Sequence, residues 1–260
     1  MKLIINSDDF GLTVNVSKAI IEELKEGVIT TTSAMSVAEA FKESAKTALD
    51  NGITHMGLHT TLTILRPLLP TSVVPSLVNE EGKFFTPKEL YERDVNIEEA
   101  RAELEKQIEV FLSTGLKLDH IDSHHGLMQK NEEFTKMYLD LAEKYNVPLR
   151  NEFCRYQTPY TEYALREIRK RKIPVTDYLY GNHDLPDGAY LQLKDFLKEA
   201  EEKYDTVEYF CHVGYSDDEL RSISSLNDLR EVEYHFMRSQ RVIDLYKEHN
   251  IELIGYDELT

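Results

Sequence analysis

The sequence has few of the features that mark secreted or membrane proteins. It holds two cysteines among 260 residues, Cys154 and Cys211, far apart and in no metal or redox spacing. We therefore expect buried, reduced thiols. No apolar stretch is long enough to span a bilayer, and the chain starts with a strand pattern instead of a basic region and an apolar run. These absences predict a cytoplasmic protein with no membrane partner.

Basic residues are scarce relative to acidic ones. The 30 Lys and Arg residues against 47 Asp and Glu give a net charge of −17. Such a charge repels phosphate backbones and anionic lipids, so nucleic acid is a poor partner, and neutral or cationic small substrates fit better. A glycine-rich phosphate loop is also missing. The apolar fraction of 41% and the charged fraction of 30% are those of a globular protein.

What the chain does contain is a repeated alternation of strand and helix patterns. The predicted strands are Leu3–Ile5, Ile29–Val37, His55–Thr61, Lys117–Asp122, Val147–Arg150, Pro174–Leu179, Thr206–His212 and Ile251–Ile254. The predicted helices cover about 14–26, 38–50, 96–114, 132–145, 161–172, 190–204 and, with a possible interruption, 225–249. No repeat or linker is detectable, so residues 1–260 are predicted to form one domain. This number of βα units favours an α/β fold with a closed or partly closed barrel.

The alternation fails between about residues 64 and 95, where four prolines break it. A loop this long inside a compact domain is usually a lid, a binding loop or an interface. An ordered surface excursion is the alternative. We favour a substrate-side loop, because the segment leaves the strand that carries His59 and should emerge on the same face.

The first strand ends in two adjacent carboxylates, Asp8 and Asp9, within the stretch LIINSDDFGLT. Like charges at the end of a buried strand are unfavourable unless a cation or a proton relieves them. The alternative is an ordinary turn followed by a helix cap. This stretch alone supports a metal site and a turn about equally.

Titratable residues also follow several other predicted strands. In α/β barrels the active site lies at the carboxyl ends of the strands, so these side chains should converge on one mouth. They are Asp8 and Asp9 after strand one, His59 on strand three, His120, Asp122, His124 and His125 at strand four, Arg150 on strand five and His212 on strand seven.

From these residues we choose Asp9, His59 and His124 as metal ligands. One carboxylate and two imidazoles leave coordination positions open for water and substrate, as hydrolytic sites require. His125 could replace His124, because neighbouring side chains on an extended segment point opposite ways. A lone histidine is more often structural, and His120 is placed with Asp122 as a group that orients ligands.

The remaining site residues are assigned to proton transfer and orientation. Asp8 is the predicted base acting on water, and His212 is the predicted acid that protonates a leaving amine. Arg150 either orients the base or the substrate, or forms a structural ion pair. His183 and Asp184, in a segment rich in turn formers, are predicted to lie on the surface.

Four motifs, NSDDFG, GLH, HIDSHH and CHVGY, occur in this order between Ile4 and Tyr215. Together they resemble the YdjC-like carbohydrate deacetylases. The resemblance implies metal-dependent removal of acetyl groups from N-acetylated amino sugars such as diacetylchitobiose, on a distorted TIM-like barrel of about seven or eight strands that is often a homodimer. By motif, Asp9, His59 and His124 match the metal ligands, Asp8 the base and His212 the acid.

The chain departs from the family pattern at two positions. Gly126 stands where members commonly have a further histidine, and Val213 replaces a proline in the last motif. Magnesium is the metal implied by the resemblance, whereas two imidazoles with a carboxylate would suit zinc or another transition metal better. The rival functions are a metal-dependent phosphoesterase and a sugar-binding or regulatory protein without turnover.

Overall fold

The computed structural model describes residues 1–155, 157–181 and 186–259, and its centre is a parallel β-sheet. The seven strands are β1 (Lys2–Phe10), β2 (Thr31–Ala34), β3 (His55–Thr60), β4 (Lys117–Ser123), β5 (Tyr178–Tyr180), β6 (Thr206–Cys211) and β7 (Glu252–Leu253). Their order is β4-β3-β2-β1-β6-β5, with the short β7 paired to β1. The predicted α/β class with about seven parallel strands is confirmed.

Helices surround the sheet and supply the outer layer of the core. They are α1 (Val14–Glu26), α2 (Phe41–Asp50), α3 (Pro87–Glu92), α4 (Ile97–Ser113), α5 (Glu132–Tyr145), α6 (Thr161–Arg171), α7 (Pro186–Ala200), α8 (Asp218–Ile223), α9 (Asp228–Met237) and α10 (Gln240–Glu248). None of those in the described residues is long and apolar enough to cross a membrane.

The predicted strand at Val147–Arg150 is wrong. This segment makes a single parallel bridge, between Leu149 and Ile121 of β4, and the Leu149 amide donates to the Pro174 carbonyl. Proline has no amide hydrogen, so Pro148 and Pro174 cannot extend a ladder here. The sheet consequently stays open between β4 and β5, which is compatible with a distorted TIM-like barrel.

The bounds of other elements differ from the predicted ones for local reasons. β1 extends well beyond the predicted Leu3–Ile5, because its polar second half is buried and still pairs with β6. β2 is shorter than the predicted Ile29–Val37. The long helix predicted at 225–249 is interrupted, since α9 ends at Met237 and Ser239 precedes α10. Both cysteines are free, as predicted, with Cys211 buried and Cys154 half-buried.

The irregular segment between β3 and α4 is ordered around two short helical pieces. Pro75–Leu77 forms a 3₁₀ turn, and Thr86 caps α3 through a capping box with Glu89. An antiparallel bridge joins Val78 to Phe84. The segment between β3 and α4 is therefore ordered.

Glu23 on α1 is fully buried, and neither carboxyl oxygen has a hydrogen-bond partner within the described residues. Burial raises its pKa to about 9. A carboxyl whose pKa is higher in the folded than in the unfolded state contributes stability that is complete below the unfolded pKa, about 4.3, and is lost as pH rises through about 9. The protein should therefore lose stability over this range.

Replacing Glu23 with Gln removes the ionisable group while keeping its size. We expect the free energy of unfolding to rise by about 1–3 kcal/mol at pH 8.5, where the carboxyl is ionised in the unfolded chain but not in the folded one, and to change much less at pH 5, which is close to the unfolded pKa. Denaturant unfolding at the two pH values measures the difference. Glu43→Gln, on an exposed position of α2, is the control and should have little effect. An equal change at both pH values for Glu23→Gln would contradict the prediction.

Candidate metal centre

A cavity of about 730 Å³ opens at the carboxyl ends of the strands. All six residues predicted for the site line it: Asp8, Asp9, His59, His124, Arg150 and His212. The segment between β3 and α4 contributes Ile64, Pro87 and Tyr91 to the same wall. The segment therefore reaches the cavity that the predicted site residues line.

Both aspartates of the first motif face this cavity, although neighbouring residues of a regular strand point to opposite sides. The cause is an irregularity in β1. Its pairing with β2 shifts register between Ser7 and Phe10, and Asp9 has a φ of 71°. A left-handed conformation is unfavourable for a residue with a side chain and is found mainly where the surrounding structure imposes it, often at functional sites.

The three predicted ligands lie close enough to share one ion. His59 Nε2 is 3.1 Å from His124 Nδ1, and Asp9 Oδ1 is 3.4 Å from His59 Nε2 and 3.3 Å from His124 Nδ1. Ligand atoms at ~2.0–2.2 Å from a common zinc-like ion in tetrahedral geometry are separated by about 3.3–3.6 Å, which is close to the sides of this triangle. No hydrogen-bond partner satisfies Asp9 Oδ1 among the described residues, although it is buried. The residues present fit a divalent cation.

The orientation of His59 is fixed from behind. Its Nδ1 lies 2.7 Å from Asp122 Oδ1, and a carboxylate can only accept, so Nδ1 carries a proton and Nε2 is the ring nitrogen that faces the triangle. Asp122 thus has the orienting position predicted for it. His120 pairs with Asp119, at 2.6 Å, and stacks on Tyr256, while its Nε2 lies 3.9 Å from Asp122 Oδ2.

His124, and not His125, belongs to the triangle. His125 has a φ of 62°, and its Nδ1 lies 2.9 Å from Thr63 Oγ1. Burial, together with the neighbouring His124, lowers the pKa of His125 to about 3, so its ring is neutral. The choice between the two rings, which the sequence left open, follows from the turn that begins at His125.

Asp8 is held by a fork of two hydrogen bonds from Arg150. Nη1 donates to Oδ2 at 2.8 Å and Nη2 to Oδ1 at 2.6 Å, while Asn6 also donates to Oδ1. Burial raises the pKa of Asp8, but the Arg150 guanidinium and His59 more than offset this and hold it well below its usual range. Asp8 is therefore ionised near pH 7.

Arg150 connects three strands as well as orienting Asp8. Its Nε donates to Glu208 on β6 at 2.8 Å, and Nη2 lies 3.0 Å from Asp122 on β4. The guanidinium and these three acids are buried. Arg150 therefore forms the structural ion pair given as one interpretation, and its contact with Asp8 is compatible with the other.

Arg230 is a site residue that the sequence did not reveal. It lies on α9, is buried, and donates from Nη2 to Asp9 Oδ2 at 2.6 Å. Burial raises the pKa of Asp9, but Arg230 and His124 lower it well below the usual value. This leaves Oδ1 of the ionised carboxylate directed at the two rings. No motif surrounds Arg230, and the contact joins residues far apart in sequence, so local patterns gave no signal.

His212 follows β6 and reaches the same space. Its Nε2 lies 3.9 Å from Asp8 Oδ2, and its backbone amide donates to Glu233. Burial lowers the pKa of His212, in spite of the opposing effect of Asp8, so the ring is neutral near pH 7. His183 and Asp184, predicted to lie on the surface, are outside the described residues.

Fold and site together define an α/β protein with a buried acid and histidine centre suited to a divalent cation. Residues 2–248 match the YdjC-like protein family, and the chain belongs to it. A carbohydrate deacetylase of Enterococcus faecalis is 36% identical, over 100% of this chain and 98% of the relative. One of Clostridium beijerinckii is 31% identical over the full length of both chains.

A solved structure from Enterococcus faecalis V583 supports the same assignment of fold. It is described as a cellobiose-phosphate cleavage protein and has a TM-score of 0.90 at 33% identity, covering 100% of this chain and 98% of that one. The family predicted from the four motifs is confirmed.

Proposed function

We propose that this protein is a metal-dependent hydrolase that removes acetyl groups from N-acetylated amino sugars or short chitooligosaccharides. The observation that supports this most directly is the triangle of Asp9, His59 and His124 beside an ionised Asp8, at the base of a cavity. Relatives at 31–36% identity over the whole chain are named carbohydrate deacetylases. A cavity of about 730 Å³ is within the usual range for small-molecule sites.

Asp9, His59 and His124 would hold the divalent ion. When bound there, such an ion supplies Lewis acidity, which polarises an amide carbonyl and makes a water molecule more acidic. Magnesium is our first assignment because the family resemblance implies it. The two imidazole ligands favour zinc, cobalt or iron, so the identity of the bound metal has to be measured.

Asp8 is the proposed base. Its Oδ1 accepts from both Arg150 and Asn6, whereas Oδ2 accepts one hydrogen bond, from Arg150. A carboxylate oxygen has two lone pairs, so Oδ2 keeps one on the side of His59 and His212, which lie 3.8 and 3.9 Å away. Arg150 fixes the direction of this lone pair and keeps the carboxylate ionised.

His212 is the proposed proton donor to the leaving amine. Because its ring is neutral at the start of the reaction, it can act as an acid only after receiving a proton. Asp8 is placed to provide the one it takes from water, since Asp8 Oδ2 and His212 Nε2 are 3.9 Å apart. In this scheme one proton passes from water through Asp8 and His212 to the amine, and both side chains return to their starting protonation states.

Removing the metal tests the proposal. We expect the purified protein to release acetate from diacetylchitobiose, to lose this activity with a chelator, and to regain it with one of Mg²⁺, Zn²⁺, Co²⁺ or Fe²⁺. Elemental analysis of protein purified without added metal identifies the resident ion. Chelator-resistant acetate release, or no release from any N-acetylated sugar, would contradict the proposal.

The same assay separates the rival functions. The structurally similar protein described as acting on cellobiose phosphate makes sugar phosphates a reasonable second substrate set. Metal-dependent phosphate release without acetate release would favour a phosphoesterase. Binding of sugar without release of either product would favour a regulatory protein.

A further inference from the structure

Glu152 is a buried carboxyl on the cavity wall that the proposed reaction does not use. It begins the 3₁₀ turn Glu152–Cys154 and is 4% exposed. Its Oε1 accepts from the Ser123 amide at 3.1 Å and from Ser123 Oγ at 2.7 Å. Its Oε2 has no hydrogen-bond partner among the described residues. An unpaired buried acceptor is costly and calls for an explanation.

Gln129 presents a second acceptor in the same condition. Its Nε2 donates to the Glu152 carbonyl at 3.0 Å, which fixes the orientation of the amide. Its Oε1 is buried and lacks a partner in the described part of the chain. Gln129 and Glu152 both line the 730 Å³ cavity. Two acceptors on adjoining residues thus lack donors at the wall of one cavity.

Gly126 leaves space in front of Glu152. A Cβ atom placed at Gly126 would lie 3.7 Å from Glu152 Oε2 and 3.6 Å from the hydroxyl oxygen of Tyr91. Any side chain at this position would therefore extend from beside the Glu152 carboxyl, and glycine leaves that volume free. Gly126 also has a φ of 69°, which glycine adopts readily.

These three observations point to one kind of ligand. Acceptors without partners bind donors, and the substrate class proposed above carries many hydroxyl donors on its sugar rings. A carboxyl oxygen and an amide oxygen can each accept one sugar hydroxyl. Burial raises the pKa of Glu152 to about 7, in keeping with a carboxyl whose second oxygen has no donor until a ligand arrives.

We propose that Glu152 and Gln129 form a hydroxyl-binding subsite, opened by Gly126, that selects the sugar ring next to the metal centre. This rests on the proposed function, because it assigns the polar wall of the same cavity. Glu152 is then a specificity-determining residue that contacts substrate. Its hydrogen bonds from Ser123 hold it in place for that contact.

Binding without turnover tests the subsite. Asp8→Asn serves as the background, and its affinity for diacetylchitobiose and for analogues that each lack one ring hydroxyl is measured by calorimetry in the presence of the metal. In this background we expect one analogue to bind about 10-fold more weakly than the parent. Adding Glu152→Gln should weaken the parent by about 10-fold and leave that one analogue nearly unchanged.

A control distinguishes sugar recognition by Glu152 from an indirect effect on the metal ligand His124, which follows Ser123 in the chain. Ser123→Ala removes the hydroxyl that Glu152 Oε1 accepts from but leaves Oε2 in place. It should preserve the difference between parent and analogue, whereas Glu152→Gln should abolish it. The proposal is overturned if Glu152→Gln binds the parent as tightly as the background does, if it weakens all sugars equally, or if it loses metal while keeping the difference. Failure of the proposed function looks different, because the background would then bind none of these sugars.

Discussion

Replacing Asp8 with Asn should lower kcat for deacetylation by about 10²- to 10⁴-fold and leave the bound metal in place. Asn has nearly the same shape as Asp, can still accept one hydrogen bond from Arg150, and cannot take a proton from water. Asp8 is not a member of the triangle of Asp9, His59 and His124. The loss should therefore appear in kcat, with KM little changed. Steady-state kinetics of acetate release and elemental analysis of the same sample measure both quantities.

Asp9→Asn is the matched comparison for this prediction. It changes the neighbouring carboxylate, whose Oδ1 belongs to the triangle, and should lower the metal content as well as the rate. If Asp8→Asn kept its rate, Asp8 would not be the base. If Asp8→Asn lost its metal, and Asp9→Asn kept it, Asp8 would be the metal ligand and Asp9 the candidate base.

Arg150→Met should cost about 3–5 kcal/mol of unfolding free energy, because it leaves buried carboxylates without their cation. Asp8, Asp122 and Glu208 all lie within 3.0 Å of the Arg150 guanidinium. Burial outweighs Arg150 and raises the pKa of Glu208, even though Tyr256 also donates a hydrogen bond to that carboxyl. Chemical denaturation at pH 7, followed by circular dichroism, gives the change.

Arg221→Met is the control for loss of an arginine as such. The Arg221 side chain is 46% exposed and pairs with Asp218 and Asp228 at the surface. Exposed pairs of this kind are worth about 0–1 kcal/mol. A cost for Arg150→Met no larger than that for Arg221→Met would show that the buried acids are neutralised by other means.

The sequence predicted the parts of the site that depend on local order along the chain. A strand pattern followed by an acid or a histidine places that side chain at the carboxyl end of the sheet, which is why Asp9, His59 and His124 were found together. The direction in which each side chain points was less accessible. Asp9 and His125 both have a left-handed φ, which depends on tertiary packing. Nothing in the dipeptides Asp8-Asp9 and His124-His125 specifies which residue of each pair adopts it.

Contacts between distant segments were the other limit. Arg230 approaches Asp9 only because α9 packs near the end of β1, so its role depended on the completed fold. The strand wrongly predicted at Val147–Arg150 has a suitable apolar pattern, but Pro148 within it and Pro174 beside it have no amide hydrogen, so only a single bridge forms. Magnesium, a cytoplasmic location and a homodimer came from resemblance or from absent signals, and they stay predictions.

The gap between β4 and β5 leaves these two strands without a backbone ladder between them. On that side a single backbone bridge, between Leu149 and Ile121 of β4, takes the place of a ladder. Arg150 follows Leu149, and its guanidinium contacts acids on β1, β4 and β6. The ion pairs of one guanidinium thus connect β4 to β1 and β6, which are not its neighbours in the sheet. The side chain that holds the Asp8 carboxylate therefore also links strands on opposite sides of the site, so a substitution at Arg150 should disturb the charge of Asp8 and the packing of these strands together.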